Sequence, residues 1–98
     1  GMIWGIGQAL LEESPMDHRL GRYLSKNLAG SLVPANADVA GLEAHFVDEY
    51  DEHASAIGAR GIGELGAVGV GAAVANAVHH ATGVRIRELP IRVEALLT

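Results

Sequence analysis

Residues 64–83 read Glu-Leu-Gly-Ala-Val-Gly-Val-Gly-Ala-Ala-Val-Ala-Asn-Ala-Val-His-His-Ala-Thr-Gly. Val68, Val70, Val74 and Val78 are interleaved with Ala72, Ala73, Ala75 and Ala77, and the only polar side chain between Glu64 and His79 is Asn76. The spacing predicts a helix over 64–82, stopped by Gly83. That helix is apolar all round, and a helix of this kind must be covered all round. Gly66, Gly69 and Gly71 lie inside it, each costing about 1 kcal/mol against Ala. Close approach of another backbone, or of a cofactor, is the usual compensation. One more helix and a few strands can hardly surround it. The chain therefore reads as a single, incomplete domain over residues 1–98, in which two main helices and a few short strands make an α+β arrangement.

Working outward, Ile3, Ile6 and Leu10 recur at helical spacing, which predicts a first helix over Met2–Glu13 with Glu12 and Glu13 on its polar face. Ser14-Pro15 ends it, because the residue before a proline is pushed out of the helical region. Met16–Gly21 reads as a loop, Arg22–Leu28 as a short strand, and residues 29–40 as an extended connection. Gly41–Asp48 is the better strand, with Leu42, Ala44 and Phe46 on one side and Glu43 and His45 on the other. The acidic run Asp48 to Glu52 reads as a solvated turn. It lacks the alternating oxygen ligands and the glycine of a calcium loop. Past Gly83, Val84–Leu89 is extended, Pro90 breaks it, and Val93–Leu97 closes with a helical turn.

Seven basic against twelve acidic residues give a net charge of −5. That balance favours solubility and argues against nucleic acid, whose phosphates need a basic surface. No cysteine is present, so a disulfide scaffold, an iron–sulfur cluster and a thiol nucleophile are excluded within this chain. No apolar run reaches the roughly 20 residues that a membrane helix needs. Adjacent helical residues point about 100° apart, so His79-His80 reads as surface near a helix end rather than as a metal pair. No residue is assigned as a metal ligand.

Gly61-Ile62-Gly63-Glu64-Leu65-Gly66 satisfies the dinucleotide fingerprint G-x-G-x-x-G. The fingerprint carries weight only after a buried parallel strand and inside a βαβ unit. Here the preceding residues, Glu49 to Ser55, are polar and turn-like, so a nucleotide-binding fragment stands as an alternative only. Glu64 by itself reads as an ordinary glutamate in the first turn of a helix, which complements the helix dipole and is favoured in its ionised form.

The longer string Gly58-Ala59-Arg60-Gly61-Ile62-Gly63-Glu64 resembles the G-A-K/R-G-I/V-G-E segment of the molybdenum-binding large subunits of the xanthine dehydrogenase/aldehyde oxidase family. Gly5-Ile6-Gly7-Gln8-Ala9-Leu10-Leu11-Glu12-Glu13 is similar to that family's G-I-G-x-A-L-x-E-E helix. Asn27-Leu28, Val33-Pro34, Asp38-Val39, Ala72 to Asn76, Ala81-Thr82-Gly83 and Leu89-Pro90-Ile91 continue the match in order. Leu65 stands where many relatives have Pro, Ser31 replaces a common Tyr, and Ala40 a common Pro.

The resemblance implies the C-terminal part of a molybdopterin-binding domain. It makes Glu64 the active-site base and lays the backbone of Gly61, Ile62 and Gly63 against a molybdenum–molybdopterin cofactor. It implies oxidation of an aldehyde or nitrogen heterocycle with water-derived oxygen, the electrons leaving through iron–sulfur and flavin domains or subunits. The expected partners are the remaining domains of the large subunit and a small-molecule substrate, with no nucleic acid and no membrane. Cytoplasmic location is expected, with the periplasm as the alternative. The isolated chain is expected to be inactive, to hold no cofactor and to self-associate. A stand-alone interaction module is the other reading.

Overall fold

The computed structural model describes residues 1–97 and has the expected α+β make-up. Its first helix, α1, covers Met2–Leu10. A two-residue hairpin pairs β1, Met16–Asp17, antiparallel with β2, Arg22–Tyr23. A 3-10 turn follows at Asn36–Asp38, then α2 at Leu65–Val68, α3 at Val70–Thr82 and a second 3-10 turn at Val93–Leu96. None of the described helices is long and apolar enough to cross a membrane.

The expected helix over 64–82 divides at Gly69 into α2 and α3. Three glycines within six residues weaken local propensity. Gly66 lies against the backbone of Gly1 and Met2, whereas Gly69 and Gly71 face open space. Close backbone approach thus accounts for one of the three glycines. Gly83 ends α3 at φ 76°, in the left-handed region expected of a glycine stop, and its N–H donates to the His79 carbonyl at 2.8 Å.

Helix α1 packs on α2 and α3 through small residues rather than through the apolar stripe its spacing suggests, of which Ile6 alone is half-buried. Gly5, Gly7 and Ala9 are buried, while Ile3, Trp4 and Leu10 stay exposed. Small residues let the helix axes approach closely. A Cβ placed on Gly5 would meet the Val70 Cβ at 2.5 Å. Gly5→Ala therefore lowers unfolding free energy by about 1–2 kcal/mol, the clash exceeding the gain in helix propensity. Val70→Gly in the same protein recovers part of that loss. Urea unfolding followed by helical circular dichroism checks both, and an unchanged or raised midpoint for Gly5→Ala contradicts this packing.

Residues after Pro90 return to α1. The Ile91 N–H donates to the Ala9 carbonyl at 2.7 Å, one of the orphan acceptors at the helix end. Arg92 pairs with Glu13 beside it. Ala9 and Ile91 are the buried hydrophobic residues of the described chain. Helix α3 buries none fully: Val70, Val74 and Val78 form a half-covered stripe, and Ala72, Ala73 and Ala77 face outward.

Two strand expectations are corrected. Gly41–Asp48 carries the right alternation but adopts no strand, because no neighbouring segment supplies ladder partners. Of Arg22–Leu28 only Arg22–Tyr23 pairs, and its partner comes from the stretch expected to be loop. Asp17 shapes the hairpin turn by accepting from the Arg19 and Leu20 N–H groups at 2.9 and 3.3 Å. A single hairpin of this length is marginal by itself.

Candidate active site

The segment leading to Glu64 is built from local polar bonds. Ser55 starts it: its carbonyl accepts from the Gly58 N–H at 3.1 Å, and its hydroxyl oxygen accepts from the Ala59 N–H at 2.9 Å. Gly58 has φ 67°, which a side chain would resist. Arg60 then reaches back to the acidic turn, with Nη2 2.6 Å from Asp51 Oδ2 and Nη1 3.8 Å from Glu49 Oε2. Asp51 is itself oriented, since its Oδ1 accepts from the His53 N–H at 2.9 Å.

Gly61, Ile62 and Gly63 come next, and all three are exposed. Nothing lies within 4 Å of where a Cβ would stand on Gly61 or Gly63. The Leu65 N–H donates to the Ile62 carbonyl at 3.1 Å and closes the turn. Glu64 sits at the end of this turn, one residue before α2, with φ −99° and ψ 5°. Its carbonyl accepts from the Ala67 N–H at 2.9 Å. Its carboxylate makes no capping bond. The carboxylate therefore adds no hydrogen-bonded cap, and the four residues of α2 offer only a short dipole.

A hollow of ≈ 510 Å³ opens beside this turn, lined among others by Met2, Phe46, Val47, Ile62, Gly63 and Leu65. It lies where α1 begins and α2 begins, and residues 43–47 form its far wall. The lining residues run to Gly63 and resume at Leu65; Glu64 stands between two of them without lining the hollow itself. The sequence did not disclose this cavity, because its far wall comes from the segment whose alternation suggests a strand. The Asp51–Arg60 pair also went unnoticed. Its signal was available: opposite charges bracketing the Ser- and Gly-containing turn.

The other candidate residues do not converge here. His80 is exposed, as expected, but His79 is half-buried and its Nδ1 is enclosed without a hydrogen-bond partner among the described residues. His45 and His53 stand beside Glu43 and Glu52 on the surface. Among the described residues no three His, Cys, Asp or Glu side chains are placed to share a metal ion. Asn76, within the matched Ala72–Asn76 segment, accepts from Arg85 Nη1 at 2.7 Å and ties the chain after α3 back to that helix. The dinucleotide alternative lacks its scaffold: the described strands are the antiparallel pair β1 and β2, far from Gly61 in sequence, and no strand leads into the fingerprint.

The turn fits a cofactor approached from outside the chain. Two glycines with open space at their Cβ positions leave the backbone accessible, and the adjoining carboxylate is exposed. No family model matches the chain. The aldehyde oxidoreductase molybdenum-binding subunit PaoC of Escherichia coli (strain K12) is 47% identical over 96 residues, 98% of this chain and 13% of that protein. The putative xanthine dehydrogenase molybdenum-binding subunit XdhA of the same strain is 43% identical over 91 residues, 93% of this chain and 12% of that protein. A probable xanthine dehydrogenase subunit of Bacillus subtilis (strain 168) is 35% identical over 97 residues, 99% of this chain and 13% of that protein. The chain's homologues are thus molybdenum-binding subunits of aldehyde oxidoreductase and xanthine dehydrogenase, and it spans about an eighth of their length.

Proposed function

We propose that this chain is the segment of a molybdenum hydroxylase subunit that supplies the active-site base, Glu64. The observation that carries the proposal is the placement of Glu64. It stands on an exposed turn just after Gly61 and Gly63, unengaged in helix capping, between two residues that line a hollow. Its carboxylate is committed to no cap and to no ion pair among the described residues.

In this reading Gly61, Ile62 and Gly63 hold a molybdenum–molybdopterin cofactor through their backbone. The bound cofactor supplies the water-derived oxygen and takes up two electrons from an aldehyde or nitrogen heterocycle. Glu64 accepts the proton released as the new carbon–oxygen bond forms, and the preceding glycines leave room beside its carboxylate for the substrate. Ile62, Leu65 and Phe46 give the hollow an apolar wall against which the carbon skeleton of a substrate can lie. Iron–sulfur and flavin domains or subunits receive the electrons.

The rest of the subunit covers this segment. A compact protein of 10.2 kDa exposes about 5,300 Å², but this chain exposes 8078 Å². Its radius of gyration is 17.6 Å, against about 13 Å for a compact domain of this length. The excess surface is in the range of a large obligate interface, about 2,000–5,000 Å². A stand-alone interaction module is the second reading, because the same exposed surface could dock a separate protein.

Sizing the native species in the source cell with an antibody to this chain, and assaying it for molybdenum, separates the two. A large subunit co-purifying with molybdenum is expected. A metal-free species of the chain's own 10.2 kDa would leave the interaction module.

A further inference from the structure

We infer that Arg60 is a positioning residue for Glu64, acting by clasping the loop 51–60 shut. The inference rests on the reading of Glu64 as the base and adds to it the device that sets where the base stands. Arg60 and Asp51 are nine positions apart and meet at 2.6 Å, so their ion pair closes a ring of backbone. Inside the ring, Ser55 accepts from the N–H groups of Gly58 and Ala59. Asp51 is fixed from behind by the His53 N–H, and Glu49 stands 3.8 Å from the other guanidinium nitrogen.

An exposed ion pair between two free side chains contributes little. Here the acceptor carboxylate is already oriented, and the fork geometry of the guanidinium lets one side chain engage both acids. The clasp closes immediately before Gly61. From Gly61 to Gly63 the described structure offers no side-chain packing at the two glycines. The clasp fixes where the chain enters the turn, the Ile62–Leu65 and Glu64–Ala67 bonds fix where it leaves into α2, and Glu64 lies between the two. Without the clasp the entry side of the turn is free to move, and a displacement of about 1 Å can cost about a hundredfold in rate.

The test uses the cofactor-loaded parent subunit carrying Arg60→Ala, Arg60→Lys, Asp51→Arg, or the swapped pair Asp51→Arg with Arg60→Asp. Turnover and amide hydrogen exchange at Gly58, Ala59 and Leu65, whose N–H groups are hydrogen-bonded in the clasp and the turn, are measured together. Arg60→Ala is expected to lower kcat about tenfold with KM within about twofold, and to speed exchange about tenfold. Arg60→Lys keeps the charge but loses the fork, so it falls between Arg60→Ala and the unchanged protein. The swapped pair restores both readouts to within about threefold, whereas Asp51→Arg alone does not.

Unaltered exchange in Arg60→Ala, or no rescue by the swapped pair, overturns the clasp. Faster exchange with unchanged kcat, in an enzyme that Glu64→Gln inactivates, overturns the positioning role while leaving the base in place. If Glu64→Gln itself leaves turnover unchanged, the reading of Glu64 falls, and the positioning role falls with it.

Discussion

Glu64→Gln in the cofactor-loaded parent subunit lowers kcat by about 10²–10⁴-fold, the usual contribution of a positioned general base. Glutamine keeps the length and planarity of the side chain and can still hydrogen-bond a substrate, but it cannot accept the proton. KM should change by less than about threefold, because the lost interaction belongs to the transition state and not to substrate binding. The structure makes this a clean experiment. The Glu64 carboxylate caps no helix, and none of the ion pairs among the described residues includes it. Neutralising it should leave the thermal midpoint and the cofactor content where they were. Glu64→Asp, which withdraws the carboxylate by one methylene, should fall between the two. Turnover unchanged in Glu64→Gln would remove the base and return Glu64 to a surface position.

The isolated chain, in contrast, is expected to self-associate. Val68 is 80% exposed, Phe46 77% and Val47 89%, and together with Leu65 and Ile57 they leave apolar surface that a monomer seldom shows. The net charge of −5 opposes association at low salt. Raising ionic strength screens that repulsion and should increase the mass observed. Light scattering over a concentration series is the measurement. A clean monomer at roughly millimolar concentration would contradict the expectation and imply that the apolar side chains fold onto one another in solution.

Features with a local cause were legible in the sequence. Gly83 had to end α3 and the last turn at Val93–Leu96 falls in the stretch expected for it, whereas α1 stops at Leu10, three residues short of the Glu13 end expected from Ser14-Pro15. The glycine turn before Glu64 was also legible, since three glycines in six residues leave little else for residues 58–63. What failed depended on distant partners. The face of α1 was misread because Ile3 and Leu10 carry the hydrophobicity, whereas Gly5 and Gly7 carry the fit against Val70 and Pro34. Gly41–Asp48 was misread because alternation announces a half-buried surface without naming the strand beside it. His79 looked like surface from its place near a helix end, yet it lies on the half-covered stripe with Val74 and Val78. The ties between Ile91 and Ala9 and between Arg92 and Glu13 have no local signal at all.

Those last ties also set a schedule. Arg92 and Glu13 are 79 positions apart, and a ribosome adds about 5–20 residues each second. The end of α1 therefore waits about 4–16 seconds for the segment that covers it. Throughout that interval the Ala9 carbonyl lacks its donor, and Gly5 has no Val70 to lie against until α3 has begun, although Gly7 meets Pro34 much earlier. The two ends of α1 are thus completed at different times, and the last contact forms only when nearly all of these residues have been synthesised.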